Sequence, residues 1–200
     1  FTSIPRSLYL LCYPHAGLTG PFEKTMEIYD QRQKNGENVV AFGGSDAHGI
    51  VIKLGPVKIP IDPYELSLRC INMHILSDKK LTGDLLTDKK IVLSALRKGR
   101  TWIAYDYFIK STGFKFELRS SNQTWPIGSR AKYQPNLCIK IKTPIKATIK
   151  LIKNGKLWQK SQGKTHTFTG ISKGIYRAEA FHKHFLKLRP WIITNSIQVE

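Results

Sequence analysis

The chain has 200 residues, 41% of them hydrophobic and 10% aromatic, enough to build one large domain or two small ones around a real core. It carries 32 basic against 14 acidic residues, a net charge of +18. This composition excludes an intrinsically disordered chain. No apolar run approaches the roughly 18 residues that cross a bilayer as a helix, so a soluble protein with no membrane partner is expected.

The charge is unevenly spread. Residues 1–112 hold 15 basic and 11 acidic residues, whereas residues 113–200 hold 17 and 3. The positive field of the C-terminal part favours anionic partners: nucleic acid, an acidic surface or a phosphorylated substrate. The lysines of 137–153 alternate with apolar residues, as a solvated strand face also requires. The pattern therefore predicts no specific nucleic-acid site and, at most, salt-sensitive contact that ignores base sequence. Cys12, Cys70 and Cys138 are odd in number and show no zinc-site spacing, which points to buried thiols in a reducing, cytoplasmic setting.

In chain order, Phe22 to Asn35 reads as a helix, with Phe22, Met26 and Tyr29 near 3.6-residue spacing and Gly36 to close it. Val39-Val40-Ala41-Phe42 is a short apolar run expected of a strand covered on both faces. Tyr64 to Leu76 and Asp88 to Lys98 read as further helices, the latter closed by Gly99, and Thr101 to Tyr105 as a strand. This is the order of α/β units. Beyond Ser111-Thr112-Gly113 the period changes to two: Phe114, Phe116 and Leu118, then Leu137, Ile139 and Ile141, then Ala147, Ile149 and Leu151 alternate with mostly polar neighbours. Asn154-Gly155 is a hairpin turn signal, and further strands are expected at 165–169, 175–181 and 191–199. Two domains follow from this reading: residues 1–112, and a basic antiparallel β-sandwich of about six or seven strands over residues 113–200.

One segment carries chemistry. Gly43-Gly44-Ser45-Asp46-Ala47-His48-Gly49 follows the apolar run directly. An Asp and a His two residues apart can turn a carboxylate oxygen and an imidazole nitrogen toward one point, and the glycines allow tight turns around them. Carboxylate plus imidazole suits Mn, Zn or Fe better than Ca or Mg. The competing reading makes Asp46 a cap of the following segment and leaves His48 exposed. Among other candidates, His15 reads as a loop residue, His74 as a hydrogen-bonded core histidine, and Asp106 as a turn residue that could also orient a ligand. Arg97, Lys98 and Arg100 fit a helix C-terminus. Ser45 has no His or acid at triad spacing.

The run Val39–Gly49 resembles the final conserved segment of the PHP (polymerase and histidinol phosphatase) superfamily. Gly20-Pro21 with Tyr29-Asp30, Pro63-Tyr64-Glu65, Asn72-Met73-His74, Leu81-Thr82-Gly83-Asp84, Ala95–Arg100 and Ile103–Asp106 continue the likeness. The resemblance implies an α/β plus all-β protein: the C-terminal part of a distorted (β/α)7 PHP barrel, followed by an antiparallel immunoglobulin-like sandwich. It also implies divalent metal ions, Asp46 and His48 as two of their ligands, and hydrolysis of a phosphorylated small-molecule or nucleotide substrate. The family's opening HxH and its other ligands would fall upstream of Phe1. The chain thus reads as the C-terminal portion of a phosphoesterase, inactive alone. The alternatives are a catalytically dead scaffold or a basic module that binds an anionic partner.

Overall fold

A computed structural model describes residues 13, 19–61, 63–184 and 187–200, so Cys12 and His15 lie outside the described residues. Helix α1 spans Glu23–Lys34, a ribbon of β1 (Val51–Leu54) and β2 (Val57–Pro60) follows, and then come α2 (Tyr64–Cys70), β3 (Asn72–Ile75), α3 (Leu85–Arg97) and β4 (Thr101–Ala104). The remainder is β: β5 (Lys115–Arg119), β6 (Thr124–Pro126), β7 (Arg130–Ala131), β8 (Cys138–Lys153), β9 (Lys156–Phe168), β10 (Gly174–His184), β11 (Lys187–Thr194) and β12 (Ile197–Val199).

These strands correct the expected architecture. There is no (β/α)7 barrel portion beside a separate sandwich; among the described residues one ten-stranded sheet runs β3-β4-β11-β10-β8-β5-β6, with β9 on β8 and β12 bridging β10 and β7. The reason is visible at β3 and β4. A barrel unit would return its strand parallel after a helix. Here the chain leaves β3, passes through α3 and returns antiparallel, Met73 opposite Ile103. β4 then pairs antiparallel with β11, Ile103 opposite Ile193, so the sheet continues across residue 112.

The sheet curls because its longest strand bends. Lys142 of β8 faces Thr165 and Ala147 faces Gly163, so residues 143–146 stand against residue 164 alone. Pro144, which has no N–H for a ladder, sits in this bulge. The Thr143 hydroxyl, almost fully buried, donates to the carbonyls of Ile145 (2.7 Å) and Lys164 (3.3 Å). The two halves of β8 thereby enclose one core of Phe116, Leu118, Ile139, Ile149, Tyr176 and Trp191. The Trp191 indole N–H donates to the Ile109 carbonyl at 2.8 Å, satisfying the polar atom of the largest buried side chain.

Helix α3 starts where Asp84 accepts from the Thr87 amide at 2.8 Å, and it ends at Lys98-Gly99. Helix α2 is shorter than the periodicity predicts. It ends at Cys70 because Ile71 turns extended (φ −127°, ψ 121°), and Asn72–Ile75 pair with β4. His74 therefore lies on a strand. Helix α1 is held to the sheet by an ion pair: Arg177 donates from Nε and Nη2 to the two carboxylate oxygens of Asp30, both at 2.9 Å, and from Nη1 to Glu179. Burial opposes the charge on Arg177, but these carboxylates outweigh it and raise its pKa. Among the described residues, no helix is long and apolar enough to cross a membrane.

Candidate metal half-site

The segment preceding Asp46 joins no strand ladder. Its partner is a side chain. Asn195, between β11 and β12, accepts from the Ala41 amide at 2.7 Å and donates to the Ala41 carbonyl at 3.2 Å, one amide group doing the work of a neighbouring strand. Gln33 of α1 donates to the Val39 carbonyl, and the Gly43 amide contacts Met73 Sδ at 3.4 Å. A Cβ at Gly43 would stand 2.7 Å from Ile103 Cγ2, so glycine is what lets the chain cross β4 so closely. At the far end Gly49 has φ +65° and packs on the Tyr64 ring, whose hydroxyl donates to the His48 carbonyl at 3.2 Å.

Between these anchors Asp46 takes a left-handed conformation, φ 52°. Its side chain is 94% exposed and that of His48 60%. His48 Nδ1 lies 2.5 Å from the Asp46 carbonyl oxygen. A carbonyl can only accept, so Nδ1 donates in this contact, and in the neutral ring Nε2 then carries the lone pair. Nε2 lies 3.8 Å from Asp46 Oδ1. Two ligands on one tetrahedral cation at about 2.0–2.1 Å each are about 3.4 Å apart, so a small rotation closes the pair onto an ion. A backbone carbonyl on the other ring nitrogen is the usual support of a ligating histidine. The donor set thus fits two corners of a divalent-metal site. No group of three or more His, Cys, Asp or Glu that could hold a metal occurs among the described residues.

The remaining candidates have other partners. His74 Nε2 meets Asp106 Oδ2 at 2.6 Å and Ser111 Oγ at 2.9 Å, and its ring stacks on Trp102 at 5.0 Å. Burial pushes the Asp106 carboxyl up, but hydrogen bonds from His74 and Ser111 outweigh it and hold the group below its ordinary value. The Ser-His-Asp composition is not a catalytic triad. Acid and hydroxyl share one ring nitrogen, whereas a triad places them on opposite nitrogens, and Ser111 is fully buried. Nothing in the sequence spacing joins these three residues. Lys98 and Arg100 both pair with Asp78, and Arg97 sits in the last turn of α3.

A cavity of about 520 Å³ lies between α1 and β10–β11, lined in part by Glu27, Asp30, Phe181 and Pro190, without Asp46 or His48. Comparison with protein-family models, curated proteins and solved structures gave no match.

Proposed function

We propose that this chain supplies the Asp46 and His48 ligands of a divalent-metal site in a phosphoester hydrolase. The observation that carries the reading is the pair's geometry: the His48 Nδ1 proton is engaged by the Asp46 carbonyl, and Nε2 is turned to within 3.8 Å of Asp46 Oδ1. The motif's resemblance to the PHP superfamily supplies the reaction class. Mn, Zn or Fe suits the donors. When bound, such an ion polarises a phosphoryl oxygen as a Lewis acid. Asp46 offsets part of its charge, and His48 fixes its direction through the tethered ring. Two ligands do not complete a catalytic set, so further donors must join them before hydrolysis.

The test is a Co(II) titration of this chain followed by absorption, with Asp46→Ala and His48→Ala alongside. Each variant is expected to bind at least about tenfold more weakly while the thermal midpoint stays in place, because both side chains are exposed. In the enzyme with its other ligands, either change should remove most hydrolysis of p-nitrophenyl phosphate. Unaltered cobalt affinity in both variants would sink the assignment.

A further inference from the structure

We propose that the outer face of β5, β8 and β9 is a docking platform for the phosphate backbone of duplex nucleic acid, gripped without regard to base sequence. The register carries the inference. Lys115 of β5 stands directly opposite Lys142 of β8, and Glu117 opposite Lys140. Directly paired side chains have Cβ atoms about 5 Å apart, and like charges so placed destabilise a sheet. Lys140 and Lys142 are two residues apart on one face, separated by about 6.8 Å. The one carboxylate on this face is already engaged: Arg119 donates to Glu117 Oε2 from Nε at 3.0 Å and from Nη2 at 2.6 Å. Lys115, Lys140 and Lys142 form no ion pair among the described residues. The strand is held from its other face, where Phe116, Ile139 and Ile141 are buried, so the lysine pairing is tolerated rather than needed for the fold.

The neighbouring strand adds donors of another kind. Thr165 faces Lys142 and Thr167 faces Lys140, placing hydroxyl groups in the same rows as the ammonium groups. Lysine and threonine side chains are the usual backbone-contacting donors at a phosphodiester surface. The outward positions of this patch, Lys115, Glu117, Arg119, Lys140, Lys142, Thr165 and Thr167, carry no aromatic ring, so the patch offers no platform for the unstacked bases of a single strand. They also carry no large aliphatic wedge that would enter a lipid surface. A repeated phosphate backbone is the anion that fits.

Fluorescence anisotropy with a labelled duplex of random sequence tests the proposal. Binding should be readily measured at about 50 mM salt and largely lost by about 200 mM. Lys115→Gln/Lys140→Gln/Lys142→Gln should weaken it at least about tenfold and reduce the log–log salt slope by about 2.7, at about 0.9 per phosphate. The charge-matched control Lys80→Gln/Lys89→Gln/Lys90→Gln, on and before α3, should weaken it less than about threefold. Circular dichroism and thermal midpoint report that both variants fold. Equal losses in the two variants would mean a diffuse field, not a platform. That result overturns the proposal, as does no binding at low salt, or stronger competition by single strands or acidic vesicles than by duplex.

Discussion

Asn195 shows how one buried polar side chain stands in for a strand. Only 3% exposed, it binds both backbone groups of Ala41, accepts from the Tyr29 hydroxyl at 3.1 Å, and donates to Thr101 Oγ1 at 2.8 Å. Asn195→Leu keeps much of the volume and strands all of these partners. A loss of about 2–4 kcal/mol is expected in a denaturant titration, with faster hydrogen exchange at the Ala41 amide. An unchanged midpoint would mean that water replaces the amide at no cost. Two buried histidines predict a pH dependence. His166 and His182 are held below their ordinary 6.5, in each case first by burial, and for His182 also by the positive charges of His184 and Arg189. The unfolded chain therefore takes up protons that the folded one refuses. Stability should be full above the unfolded value of 6.5 and fall as pH drops from there toward the depressed folded values. Comparing denaturant midpoints at about pH 7.5 and about pH 5.5 checks this, and His182→Phe should shrink the difference between them. At the site, the Asp-x-His pair was legible because its chemistry is local to three residues. The support from Asn195 was not, because the hydrogen bond to Ala41 joins residues 154 positions apart.

At the scale of elements, the parts that sequence revealed are those with local causes. Asn154 and Gly155 take φ of 49° and 73°, the left-handed pair that an Asn-Gly hairpin turn demands, and β8 and β9 flank them as expected. Helices α1 and α3 form as expected, each closing at a left-handed glycine, Gly36 and Gly99. The Val39–Phe42 strand and the C-terminal half of the Tyr64–Leu76 helix did not form. A four-residue apolar run fits either a buried strand or a packed extended loop, and Asn72–Ile75 gains a ladder on β4 that no local signal announces. The separate strands expected over 137–142 and 147–152 are one strand, because Thr143 satisfies the carbonyls that the bend exposes. Long-range packing also fixes single glycines. Gly128, at φ +80°, lies against the end of α3, where an added Cβ would meet the Lys98 carbonyl and stand 2.7 Å from the Gly99 carbonyl carbon. Gly170 has φ +73° with nothing within 4 Å. Gly170→Ala should cost only the left-handed backbone penalty, about 1–2 kcal/mol. Gly128→Ala adds a clash with backbone that cannot rotate away, and about 3 kcal/mol or more is expected. Equal thermal shifts in the two variants would show that α3 moves freely against the β6–β7 turn.

Across the whole molecule, charge and exposed apolar surface are segregated in opposite senses. The part from residue 113 onward carries a net charge of +14, and of its large apolar side chains among the described residues only Tyr133, Leu157 and Leu188 are exposed. Every other exposed large apolar side chain among the described residues lies at or before Leu86. The β1–β2 ribbon concentrates this feature: Val51, Ile52, Leu54 and Val57 are each about half exposed, and among the described residues the two strands pair only with each other. Lys53 stands opposite Lys58 on the ribbon, a like-charge pair that does not help to hold it. Side chains that folding leaves in water contribute little to its free energy, since the apolar area removed from solvent sets that contribution. Contiguous apolar surface of this kind instead drives association between molecules. Ile52→Ser/Leu54→Ser/Val57→Ser should therefore move the unfolding free energy by no more than about 0.5 kcal/mol per site. The same variant should lower concentration-dependent light scattering, most clearly at high salt, where screening weakens the repulsion between positively charged chains. A loss of stability well beyond that, with scattering unchanged, would show that the ribbon is packed into the fold and that the surface is not what draws the molecules together.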